Sequence, residues 1–573
     1  MLKLRFALFC VAALAVASCG GGTTADTRST TPTSTVPPGT TPEGGAAFYL
    51  PFVATSTSGG ETGLLVVPSN SPASTPIFVT QTPSNAQAVR LLGLSKELTS
   101  NSSNVVTSWS PYALLYAATG GDGSAHVYAL NLSDVSVAPA ATQASSLSLS
   151  SMADICGFVQ SAQTQVSDPT TLFVVLQTNS GGASSCGTGG DVYQVIHYSD
   201  SADTAPTVVN ITTPTLATLL PLYQASGKLG GLVLLNSTTN DLDFYSDDTF
   251  TNPSVLTGGV TSWFDVADDS SVDNTGGVGA TTAFLSMTTA SGTSLWRVPS
   301  SGSAANVYTA SGILQGVADQ NNVYFVDGVP GTQKIYQEAL GGGTPTELYG
   351  ATVSGLSIPS QYTLVGSNGT QLVMIQSGFA TGGGISMSLA TLPVGTPATP
   401  TAIAGPFSGA VTAAMCPATF GDITTDDLLV NVTAIGSTTT DSSEVLTPAG
   451  AVKQALLANS TFGAVVTCGN GFGSVVQIQG ITDTGGGYGG GTVDALNLSS
   501  LTATQLSTTS GSGSYTVPSG DMLSVIFLSE TIGLGSVGPS SGGVSSGMAV
   551  DLSKSQIVPV SVPYSDVTIN LPR

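Results

Sequence analysis

AFLSMTTASGTSLWRV, residues 283–298, reads as two short strands around a tight turn. The run from Ala283 to Met287 is apolar apart from Ser286, Thr288 to Thr293 are small turn formers including Gly292, and Leu295 to Val298 return to apolar character around Trp296. Four to eight apolar or alternating residues bounded by turn formers are the signature of a strand. A lone hairpin of this size cannot bury a face of its own.

The same unit recurs in both directions. Toward the C-terminus it returns as VYFVDGVPGTQKIYQEAL (323–340), LVMIQSGFATGGGISMSLATL (372–392), LLVNVTAIGSTTTDSSEVL (428–446), VVQIQGITDTGGGYGGGTVDALNL (475–498) and VIFLSETIGLGSVGPSSGGVSSGMAVDL (525–552). Toward the N-terminus stand LVLLNSTTNDLDFYS (232–246), LFVVLQTNSGGASSCGTGGDVYQVIHY (172–198), LLYAATGGDGSAHVYALNL (114–132) and the weaker FYLPFVATSTSGGETGLLVV (48–67). Tyr128, Tyr193, Tyr245, Trp296, Tyr336 and Met387 take corresponding places, spaced by 65, 52, 51, 40 and 51 residues. No amphipathic helix of useful length separates them.

Antiparallel units of this length are what a β-propeller assembles around an axis, and kelch-like blades run about 50 residues. The chain resembles a divergent propeller, without the Trp-Asp signature or the glycine pairs of better-known repeat families. The resemblance implies an all-β fold, a β-propeller of about eight four-stranded blades, with a range of about seven to ten. Ten hairpins exceed the usual four to eight blades, so some read as insertions, or as evidence of two smaller propellers in tandem. A lipid-spanning barrel would need strands of about nine to eleven residues with aromatic girdles. Only 6% of this chain is aromatic, which argues against it.

Composition narrows the function classes. Charged residues form 8% of the 573 and hydrophobic ones 41%, so the chain is too apolar for disorder and its surface is polar but mostly uncharged. Eleven Lys plus Arg against 34 Asp plus Glu give a net charge of −23. That sign excludes nucleic acid as the expected partner, because phosphate neutralisation supplies most non-specific affinity for it. It also opposes the body lying on anionic lipid.

Residues 1–18 place Lys3 and Arg5 before the apolar run FALFCVAALAVA, the order of a secretory signal peptide. The run is too short to span a bilayer, which takes about 20 residues. Val16, Ala17, Ser18 and Cys19 close it, followed by three glycines. This resembles the lipobox of bacterial lipoproteins. The resemblance implies cleavage before Cys19, a lipid-attached Cys19, and a membrane as partner through N-terminal acyl chains. Each buried methylene contributes about 0.8 kcal/mol, so two or three chains anchor durably where one does not. With Gly20 rather than Asp after the Cys, the family pattern points to the outer membrane. Residues 19–46, rich in Thr, Pro and Gly, read as a disordered tether, and 47–573 as the propeller body.

Cys10 leaves with the leader and Cys19 takes lipid, so Cys156, Cys186, Cys416 and Cys468 remain. An even number in an exported chain reads as disulfides with three possible pairings. The sequence-near choice, Cys156 with Cys186 and Cys416 with Cys468, would contribute roughly 3.5–4.5 kcal/mol per bond. A zinc site would need closely spaced thiolates or clustered His. Only His126 and His197 are present, each within an alternating strand.

Several short motifs mimic chemistry. Gly533, Gly535 and Gly538 spell G-x-G-x-x-G, but Pro539 follows instead of the helix that a dinucleotide site requires, and the match reads as a glycine-rich turn. Gly543, Ser545 and Gly547 spell G-x-S-x-G with both histidines far upstream, in a composition that favours a loop. FGDITTDDLLV, with Asp422, Asp426 and Asp427, resembles the calcium-binding FG-GAP repeat in its Asp pair before an apolar strand, yet lacks that family's central Asn-Gly-Asp-Gly. DVADDSSVDN offers Asp265, Asp268, Asp269 and Asp273 in the same spirit. Carboxylates suit hard cations, but Asp in turns commonly caps its own backbone.

No cofactor and no catalytic or metal-binding residue is singled out. The leading expectation is a non-enzymatic cell-envelope lipoprotein whose propeller is a scaffold for binding an envelope protein or a surface polysaccharide. Propeller lipoproteins of the outer-membrane barrel-assembly machinery supply the analogy. The alternative is a propeller enzyme processing carbohydrate or a lactone, with carboxylates converging at one end of a central channel. A purely structural surface protein is the third.

Overall fold

In the computed structural model, Val323, Tyr324, Phe325 and Val326 are consecutive and all fully buried. One strand achieves this only when both of its faces are covered. Val323 and Phe325 pack with Val266, Phe284 and Leu295 on one side, while Tyr324 and Val326 pack with Tyr362, Leu364, Leu372 and Met374 on the other. This middle strand therefore serves two cores, which is why its sequence runs apolar instead of alternating.

The structure describes residues 47–55, 61–83, 89–100, 106–120, 122–160, 171–186, 191–199, 207–212, 216–223, 229–236, 239–245, 253–268, 281–300, 304–329, 332–350, 361–379, 385–407, 409–417, 426–433, 441–462, 473–483, 488–508, 513–539, 545–560 and 566–568. Among these residues the strands build ten antiparallel blades of four strands in a ring. Blades 2 to 10 follow the chain, spanning 89–143, 155–212, 216–257, 260–310, 313–350, 361–407, 410–458, 460–505 and 521–559. A short strand, Ser507–Thr508, adds in parallel to the outer edge of blade 10. Among the described residues helical structure is limited to two 3-10 turns, Met152–Asp154 and Ala183–Ser185.

Blade 1 closes the ring with strands from both chain ends. Its three outer strands are Tyr49–Thr55, Glu61–Pro68 and Ile77–Pro83, and its inner strand is Asp566–Thr568. The closing register pairs Val53 with Thr568, Ala54 with Val567 and Thr55 with Asp566.

Nine of the ten hairpins read from the sequence are the middle strands of their blades; in the tenth, 525–552, the first apolar run ends the inner strand of blade 10 and the second strand, Ile532–Pro539, lies where the sequence reads as a turn. The blade count stands at ten, the upper end of the expected range. The preference for about eight treated some hairpins as insertions. No local feature of a hairpin says whether it recruits a blade's two outer strands. Those edge strands, such as Ser254–Thr257 and Thr502–Gln505, carry weaker patterns because they are largely solvent-facing.

In each of blades 2 to 10 the first strand lies at the inner edge of its sheet, and those of blades 5 to 8 touch in succession. The first strands of blades 2, 3, 5, 6 and 7 carry register shifts against their second strands, at Leu91/Gly93, Ile155/Gly157, Asp265/Ala267, Ile313/Gln315 and Leu364/Gly366. A bulge at a sheet edge bends the strand and twists the edge away from further pairing. Gly316 meets the requirement of close approach: a Cβ there would stand 2.6 Å from Val266 Cγ1 and 2.8 Å from the Tyr324 carbonyl oxygen.

Candidate functional site

The inner strands converge on the axis, so their exposed side chains form the rim of the central channel. Blade 5 presents Thr261, Ser262, Phe264 and Asp265. Blade 7 adds Gln361 and Thr363, blade 8 Thr412, and blade 10 Ser524. Phe264, 41% exposed, is a large apolar ring on an otherwise polar rim. Hydroxyl, amide and carboxylate groups beside an aromatic face suit polar ligands rich in hydrogen-bond donors: the polar groups exchange hydrogen bonds and the ring covers apolar surface.

The aspartates read from the sequence fall on one connection type. Asp265 and Asp268 end the first strand of blade 5, while Asp426 and Asp427 begin the second strand of blade 8. Both segments therefore border the connection between first and second strands, on the same face of the ring. Asp422, Asp269 and Asp273 lie outside the described residues. Asp427 is committed to Lys453, whose ammonium lies 2.7 Å from its carboxylate. Burial pushes the Asp427 carboxyl up, and Lys453 only partly offsets this. Among the described residues no three His, Cys, Asp or Glu side chains converge as metal ligands would.

The cysteines behave in part as paired above. Cys156, in the first strand of blade 3, is bonded to Cys186, in the connection between that blade's second and third strands, with Cα atoms 5.5 Å apart. Cys416, fully buried at the end of the inner strand of blade 8, is also disulfide-bonded. Cys468, its expected partner, lies outside the described residues, as does Cys19.

His126 stands on the third strand of blade 2. Its Nδ1 lies 3.0 Å from the Leu147 carbonyl oxygen and its Nε2 3.0 Å from Asp122 Oδ2, which ties down a turn. His197 occupies the third strand of blade 3, opposite Phe173 and Thr207. The glycines Gly533, Gly535 and Gly538 are strand residues of blade 10, not the turn that their composition suggested. They pair with Phe527, Val525 and Met522 on one side, and small residues there admit large ones from neighbouring strands. Gly543 lies outside the described residues; Ser545 precedes the third strand of blade 10, and Gly547 lies within it opposite Ser536.

Sequence reasoning missed Glu338. It sits on the third strand of blade 6, 2% exposed, and neither carboxylate oxygen has a hydrogen-bond partner among the described residues. Burial pushes its carboxyl up to about 7, and the nearby Gly343 N–H, short of hydrogen-bond geometry, and the Arg297 guanidinium offset this only in part. Arg297, from the third strand of blade 5, donates from Nε to the Leu340 carbonyl oxygen at 2.6 Å across the same seam. A lone Glu in QEAL carries no local signal of this, since its burial comes from the neighbouring blade.

No family model matches the chain, and no curated protein does. Solved structures match in fold, at low overall similarity. A prolyl endopeptidase structure aligns at 9% identity and TM-score 0.34, covering 71% of this chain and 61% of that one. This chain thus spans less than two thirds of the peptidase's length. An oligogalacturonate lyase in complex with manganese aligns at 10% identity and TM-score 0.33, covering 59% and 84%. The BP39L lectin from Burkholderia pseudomallei aligns at 14% identity and TM-score 0.28, covering 64% and 100%.

Proposed function

We propose that this chain is a lipid-anchored protein of a bacterial cell envelope whose propeller binds an envelope protein or a surface polysaccharide, without turning it over. The observation that carries the binding reading is the rim: Phe264 exposed beside Thr261, Ser262 and Asp265 on the inner strand of blade 5, with Gln361 and Thr363 exposed on that of blade 7 and Thr412 on that of blade 8. Such a surface offers hydrogen bonds and one stacking face, with the exposed carboxylate of Asp265 next to the ring in the strand. The lipobox-like segment ending at Cys19 supports the address, and the Thr/Pro/Gly-rich stretch after it supports a body held off the lipid surface.

Two measurements test this. Mass spectrometry of the native N-terminal peptide is expected to find Cys19 as a new N-terminus carrying acyl chains, and Cys19→Ala should move the protein to the soluble fraction. A free thiol or a retained leader sinks the address. For binding, crosslinking in intact envelopes followed by recovery should capture one specific protein or polymer, and Phe264→Ala should weaken that capture about tenfold, in line with losing one buried aromatic anchor. Equal capture by both forms removes the rim from the proposal.

A further inference from the structure

The first two strands of blade 2, Val89–Ser100 and Val106–Thr119, are longer than the blade requires. Pairing of the second strand with the third starts at Ala113 opposite Asn131. Beyond that point the first two strands continue alone as a ribbon, with Lys96 opposite Pro111, Glu97 opposite Ser110, Leu98 opposite Trp109 and Thr99 opposite Ser108. A register shift between Leu94 and Lys96 marks its base. There the fully buried Ser95 hydroxyl accepts from the Ala113 amide at 2.9 Å and lies 3.3 Å from the Ala113 carbonyl oxygen. A bulge whose backbone is satisfied in this way is a fixed bend.

The bend delivers Trp109 to blade 10. Trp109, 8% exposed, forms one buried cluster with Phe527, against which Val476, Val525 and Leu552 of blades 9 and 10 pack. Its amide donates to Glu530 Oε2 at 3.3 Å, in the turn between the first and second strands of blade 10. Lys96 covers the indole with its ammonium 4.2 Å from the ring centre. Trp109 stands four residues past Ala113, about 13 Å of extended chain. The ribbon thus joins blade 2 to blade 10, the two neighbours of blade 1, which is the one blade assembled from strands near both chain ends. The described closing pairs of that blade number three.

We propose that this ribbon is a second latch on the ring: it fastens the blades on either side of the closure to each other, so that blade 1 is held shut from outside as well as by its own strand pairs. A closure made by a short strand opens locally at low free energy, whereas an aromatic anchor two blades away must be undocked before the neighbours can separate.

Hydrogen exchange on the full chain tests it. Trp109→Ala should speed exchange about tenfold at Val53–Thr55 and Asp566–Thr568, and leave blades 5 and 6 on the far side unchanged. Trp109→Phe, which keeps an apolar ring, should restore most of the protection, and Glu530→Ala should speed the closure about threefold without disturbing the core. Faster exchange confined to the ribbon overturns the latch, because undocking would not be felt at the closure. A uniform rise in every blade with Trp109→Ala, together with no selective rise in Glu530→Ala, overturns it equally.

Discussion

Glu338 and Asp427 are both buried carboxylates, and they differ in what stands beside them. Asp427 has Lys453 at 2.7 Å, whereas Glu338 has no bonded partner among the described residues. A carboxyl whose pKa rises on folding binds its proton more tightly in the native chain, so stability falls as pH climbs from the ordinary value of 4.5 through about 7. Glu338→Gln, which keeps the shape and removes the charge, is expected to raise Tm at pH 8 by on the order of 1–2 °C and to leave it unchanged at pH 4. Calorimetry at the two pH values decides it, and an equal gain at both would show that titration is not the cause. Lys453→Met should strand the Asp427 carboxylate and destabilise blade 8 by about 2 kcal/mol, less than for a fully buried pair because Lys453 is partly exposed. Denaturant melts of the variant and of Lys453→Met/Asp427→Asn separate the two costs, since the double variant should recover most of the loss. Gly316→Ala forces a Cβ against Val266 and is expected to cost about 1–3 kcal/mol in the same assay. Glu338 is not legible as special in the sequence, and Asp427 stands out there only as part of an acidic segment, not as the partner of Lys453, because each environment comes from a side chain or blade that local pattern does not place.

At the scale of the element, the hairpin was the readable unit and the blade was not. Middle strands such as Thr282–Thr289 are buried on both faces and carry dense apolar runs. Outer strands such as Val452–Ala458 expose most side chains, including Val452 and Leu456, and read as loop. The glycines of blade 10 show the converse, a strand that composition disguised as a turn. The Cys156–Cys186 bond ties the inner strand of blade 3 to a connection in the same blade across 30 residues. Replacing both cysteines with Ala should lower the local opening free energy of blade 3 by about 2–4 kcal/mol. Hydrogen exchange of Thr171–Thr178 reads this directly, and unchanged protection would show that packing alone holds the blade.

At the scale of the whole molecule, the cores among the described residues lie at seams between neighbouring blades and are filled from both sheets. The cluster around the closure is continuous from blade 10 through blade 1 to blade 2, with Leu534 and Val558, Tyr49 and Phe52, and Leu91 and Tyr116 in one core. Ring closure is therefore a property shared by packing, strand pairing and the ribbon. Val567→Pro removes an amide from the closing strand and imposes a fixed φ on it. Combined with Trp109→Ala, its effect on the onset of thermal unfolding should exceed the sum of the two single changes, since both act on one closure. Simple additivity, measured by thermal melts of the four proteins, would show that the two act independently.

The succession of short two-sided apolar runs between turn formers determined by itself that the chain is all-β, repetitive and ring-forming, because burial on both faces leaves its mark on every middle strand. For the cysteines the sequence left three pairings open, and the structure shows the sequence-near choice of Cys156 with Cys186. Only the tertiary structure decided that there are ten blades, which face of the ring carries the acidic connections, and that Trp109 lodges beside Phe527. Those depend on which distant strands become neighbours. Propensity and period describe a residue's own strand, while the count, the rim and the latch are set by the surface that another part of the chain brings against it.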